Sequence, residues 1–95
     1  MDPKQRLLFR IGLLHAQVSG IFSALKHILR GTEDWEPSRA NLAFVKREIG
    51  DLIVQIHLLC DQLSVDYKEC EKLGWERYEE IKANWDAKGY GDRWA

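Results

Sequence analysis

Residues 42–63 read LAFVKREIGDLIVQIHLLCDQL, and this stretch decides the fold. Leu42, Val45, Ile49, Leu52, Ile56, Leu59 and Leu63 recur at steps of three and four, the period of one face of an α-helix. Glu48, Asp51, Gln55 and Gln62 run beside that stripe as a polar line on the same helix. Nothing in the chain alternates with a period of two, so no strand is expected.

Working outward toward the N-terminus, Thr32 to Ser38 (TEDWEPS) is a polar loop. Pro37 disfavours helix at Glu36, and Ser38 or Asn41 can cap the helix that follows. Before the loop, Leu7, Ile11, Leu14, Val18, Ile21, Leu25 and Ile28 hold one helical face for about seven turns. Asp2, Pro3 and Gln5 supply an N-cap, a first-turn proline and a capping-box partner for it. Toward the C-terminus, Asp66 and Glu69 open a third, short helix that Gly74 bends or ends. Trp75, Tyr78, Ile81 and Trp85 mark the inner face of a fourth, and residues 88–95 form a flexible or interface tail. The expectation is one all-α domain over 1–95: an antiparallel helical hairpin plus two shorter helices.

The chain has 95 residues, with 14 Lys plus Arg against 15 Asp plus Glu, for a net charge of -1. That balance argues against a strongly basic nucleic-acid binder. Hydrophobic residues make up 45% and charged ones 31%, a globular composition. No signal-peptide core is present, and no apolar run of spanning length is free of polar side chains, so a cytoplasmic protein without a membrane segment is expected. The two cysteines are too few to staple a domain and read as reduced thiols. A chain this short buries only about 60% of its unfolded surface. Leu8, Phe9, Leu13, Phe22 and Leu29 beside the first stripe, with Ile53, Leu58 and Cys60 beside the second, exceed that capacity. A homo-oligomer pooling its cores is therefore expected.

The most pointed chemical feature is Arg47-Glu48-Ile49-Gly50-Asp51-Leu52. Glu48 and Asp51 are three residues apart, hence neighbours on one helix surface. Two such carboxylates suit a hard divalent cation that keeps waters and takes phosphate oxygens. The plainer reading is a solvated face with Arg47 paired to Asp51 at i,i+4.

From Val45 to Gly74 the run VKREIGDLIVQIHLLCDQLSVDYKECEKLG resembles the second half of the MazG-like all-α nucleoside triphosphate pyrophosphohydrolases. Glu48 and Asp51 match that family's E-x-x-D, Gly50 the small residue before the Asp, and Ser64-Val65-Asp66 the turn that follows. The resemblance covers roughly a third of the chain. It implies a four-helix bundle completed by oligomerisation as a dimer or dimer of dimers. It also implies cleavage of a (d)NTP to a monophosphate and pyrophosphate with Mg²⁺ or Mn²⁺ on Glu48 and Asp51. Gln17, Lys26, Arg30, Lys46 and Gln55 are then the candidate substrate contacts.

The family's first motif, E-E-x-x-E, is absent: Ala16, Gln17 and Gly20 stand at its carboxylate positions, and no acid lies between Asp2 and Glu33. Three readings follow. Catalysis is lost and the fold serves nucleotide binding or assembly; or Glu48 and Asp51 suffice for a Mg-triphosphate, with Gln17 and His15 as neutral contacts. In the third, a partner subunit lends Glu33, Asp34 or Glu36. Gly20, inside a helix, also marks a close approach by a neighbouring helix or a ligand.

Overall fold

The computed structural model describes residues 1–31 and 39–89, with side chains for 1–26 and 42–89. They form three helices, α1 (Pro3–Gly31), α2 (Arg39–Leu63) and α3 (Tyr67–Ala87), and no strand among the described residues. The chain groups into two compact units, Met1–Ser64 and Val65–Ala95.

Local chemistry explains the helix ends. Asp2 Oδ1 accepts from the Gln5 amide at 2.8 Å, and the Asp2 amide donates to Gln5 Oε1 at 3.0 Å, the reciprocal capping box expected there. Asn41 lies inside α2, two residues past its first; Ser38 falls outside the described residues. At the far end of α2, Ser64 takes a left-handed φ of 55°, and Asp66 then caps α3 by accepting from the Lys68 amide at 3.0 Å.

Two shorter helices were expected after the hairpin, and there is one of 21 residues. Gly74 lies in its interior, and a side chain there would meet nothing within 4 Å. A lone glycine costs a helix about 1 kcal/mol, which the twenty other residues outweigh. Trp75 also departs from expectation. It is 60% exposed, off the half-buried face of Tyr78, Ile81 and Trp85, and meets Tyr78 edge to face at 5.7 Å between ring centroids. The tail expected over 88–95 lies almost wholly outside the described residues.

In the first unit α1 and α2 pack antiparallel. Along α1 the seam runs through Leu7, Arg10, Leu14, Gln17, Ile21 and Ala24; along α2 through Val45, Glu48, Leu52, Gln55 and Leu59. Steps of three and four alternate, as in the seam of a coiled coil. Every second position is polar or small. Among the described residues only Ala24 and Cys60 are buried.

The seam is rotated from the stripe that the apolar pattern marks. Leu7, Leu14 and Ile21 belong to both, but Ile11, Val18 and Leu25 are exposed, as are Leu42, Ile49 and Leu63 on α2. Both phases fit a 3.6-residue period. Arg10's bonds across the seam and the missing Cβ of Gly20 draw α2 to the polar edge of the stripe.

By length and composition the 24 residues from Pro3 to Lys26 also meet the requirement for crossing a bilayer, which the count of uninterrupted apolar residues had excluded. Core helices of soluble proteins meet it too.

Candidate functional site

The site is built on the polar half of the seam. Glu48 is held in the interior of α2, about two and a half turns from its start and four from its end, and is half-buried. Its carboxylate lies directly over Gly20 of α1. A Cβ placed on Gly20 would stand 3.3 Å from Glu48 Cδ and closer still to Oε2, so the glycine makes the room that the acid fills. This answers what Gly20 approaches: a carboxylate from the neighbouring helix. Asp51, one turn on, is exposed at the edge of the same surface.

Gln55 continues the line and is also half-buried. Its Oε1 accepts a short hydrogen bond from Arg10 Nη1, and Arg10 Nε donates to Gln62 Oε1 at 2.9 Å. Arg10 therefore bridges two glutamines set two turns apart on α2. Stepping seven residues from Arg10 along α1, the antiparallel register puts half-buried Gln17 level with the stretch between Glu48 and Gln55.

Gln17, Glu48 and Gln55 are thus brought to one line between two helices, with Asp51 exposed at its edge. The expected basic residues are not. Lys26 follows buried Ala24 by two residues and Lys46 precedes Glu48 by two, and residues two apart project from different sides of a helix. Both lysines are exposed, as is His15, two residues from Gln17. The side chain of Arg30 and the loop acids Glu33, Asp34 and Glu36 lie outside the described residues. Arg47 stacks over Phe44 at 5.2 Å from the ring centroid.

Arg10 is the residue that the sequence pattern missed. It breaks the apolar stripe, so it reads as a solvent-facing charge. Its signal is the seven-residue step to Gln17, matched on α2 by the steps from Glu48 to Gln55 to Gln62.

Among the described residues no three of His, Cys, Asp or Glu come together as a ligand group. The donor set of Glu48 and Asp51 with the amide of Gln17 suits a cation that retains water and takes phosphate oxygens, as Mg²⁺ does, and does not suit an all-protein cage. No family model matches the chain, and no curated protein or solved structure proves similar to it.

Proposed function

We propose that the chain is a MazG-like nucleotide pyrophosphohydrolase that works with a reduced set of acids. The observation that carries this reading is the placement of Glu48: its carboxylate leans onto α1 at Gly20, where the family's first motif would put an acid. Glu48 and Asp51 would hold Mg²⁺ or Mn²⁺, which when bound neutralises triphosphate charge and polarises the α-phosphorus. Gln17 supplies a neutral donor or acceptor level with that pair, and Gln55 extends it toward the N-terminal end of α1. The reaction adds water across the α–β phosphoanhydride: the water oxygen ends on the monophosphate, its protons are released or shared with product oxygens, and pyrophosphate leaves with the bridging oxygen. The test is pyrophosphate release from ribo- and deoxynucleoside triphosphates with Mg²⁺ or Mn²⁺. Turnover that Glu48→Gln abolishes supports the reading. No turnover from a folded oligomer sinks it.

A second reading has its own support: a non-catalytic member of the same fold whose role is assembly. It is favoured by the apolar residues that α1 and α2 expose, including Phe9, Ile11, Phe22 and Val54, each more than half exposed. So much exposed apolar surface on so small a unit suits a second copy or a partner. Under both readings the oligomer completes the core, with an isologous pairing of the outer faces as the simplest arrangement.

A further inference from the structure

We propose that Arg10 is a pre-organised polyphosphate-binding residue, held by Gln55 and Gln62 beside the acidic pair. The inference rests on the pyrophosphohydrolase reading for its substrate and on separate geometry for the residue.

Arg10 is half-buried, and a half-buried guanidinium calls for partners. Its partners across the seam are two neutral amide oxygens, Gln55 Oε1 and Gln62 Oε1. A glutamate at either position would bond the same atoms and cancel the charge. The glutamines fix the plane and direction of the guanidinium while leaving its positive charge uncancelled. Two of its five N–H groups are used, so Nη2 and the second hydrogen of Nη1 remain for a ligand. A planar fork of this kind matches phosphate oxygens with bidentate geometry.

Position selects the ligand. Gln55 follows Asp51 by four residues, about 6 Å along the axis of α2. A phosphate chain whose metal-bound end lies at Glu48 and Asp51 reaches Arg10 within its own length. The terminal phosphates then point toward the N-terminal end of α1, and the nucleoside toward the end of the hairpin where α1 leads into α2. The charge on the pyrophosphoryl group is met by Arg10, in place of the exposed Lys26 and Lys46. The opposing charges at that end of the hairpin are Asp2, which caps α1, and Asp61, which with Pro3, Arg6 and Gln62 lines a cavity of about 300 Å³.

The experiment is calorimetric titration of the full chain with inorganic pyrophosphate, with and without Mg²⁺, for wild type, Arg10→Met and Gln62→Glu. Gln62→Glu keeps the cross-helix contact and the fold but neutralises the guanidinium, so it stands even if Arg10→Met unfolds. The expected result is wild-type binding that both variants weaken at least about tenfold, the loss of one charge-assisted pair. No binding by wild type, or wild-type affinity in folded Gln62→Glu, overturns the inference. Turnover of nucleoside triphosphates with affinity independent of Arg10 leaves the hydrolase reading standing and removes this one. Pyrophosphate binding through Arg10 without turnover does the reverse.

Discussion

The two sides of the α1–α2 hairpin invert the usual arrangement of a small soluble unit. The seam between the helices carries Arg10, Gln17, Glu48 and Gln55, while the outward side carries Phe9, Ile11, Phe22 and Ile49. Four of the eleven seam positions are polar, and much of the apolar surface is left outside. A polar seam contributes little hydrophobic burial, so the hairpin alone lacks the core that its apolar content could supply. Such a division is costly unless each side has a further use. The proposed oligomer would give the outward face that use, and the inward row keeps polar groups in a line.

The largest expected effect comes from breaking the outward side. Phe22→Asp, at a position 61% exposed within the chain, puts a charge where the proposed oligomer would bury an aromatic ring. Sedimentation equilibrium should find dissociation, with a loss of more than about 3 kcal/mol of assembly free energy. If the variant sediments as wild type does, the outward face is not an interface. Next comes the seam. Arg10→Ala removes the bonds to half-buried Gln55 and to exposed Gln62, whose amide water can satisfy, and should lower stability by about 1 kcal/mol in urea unfolding. An unchanged midpoint would mean that those hydrogen bonds carry no net stability.

Two glycines sharpen the comparison further. Gly74→Ala gains helix propensity in open space and should stabilise by about 1 kcal/mol. Gly20→Ala gains the same propensity but drives a Cβ against the Glu48 carboxylate, which must swing aside. Because that is the far end of a flexible side chain, the net stability change should be only a few tenths of a kcal/mol. Its larger consequence is on function: turnover should fall although the protein melts no earlier. Equal stabilisation at the two glycines, measured side by side, would show that Glu48 does not depend on the space at Gly20.

Most of the fold was legible because periodicity and caps are local. The capping box at Asp2 and Gln5, the Asp66 cap and the long runs of α1 and α2 need only neighbours in sequence. The break expected at Gly74 was misplaced for the converse reason. A propensity penalty of about 1 kcal/mol at one residue cannot stop a helix whose flanking turns are favourable. At the site, Glu48, Asp51 and Gln55 were readable from their spacing. The absence of Lys26 and Lys46 from that line follows from helix phase around the seam, and Arg10 could not be placed before its partners were known.

The sequence by itself determined that the chain is helical, where α1 and α3 begin, and that Glu48 and Asp51 share a surface. All of these depend on hydrogen bonds and sterics within a few residues. Only the tertiary structure decided which edge of each stripe faces the other helix. An apolar face wider than one contact is compatible with several rotations about the helix axis, and the choice among them is made by contacts across the hairpin. Here those contacts are a carboxylate that fits over a glycine and a guanidinium that reaches two amides, and they turn the polar edge inward.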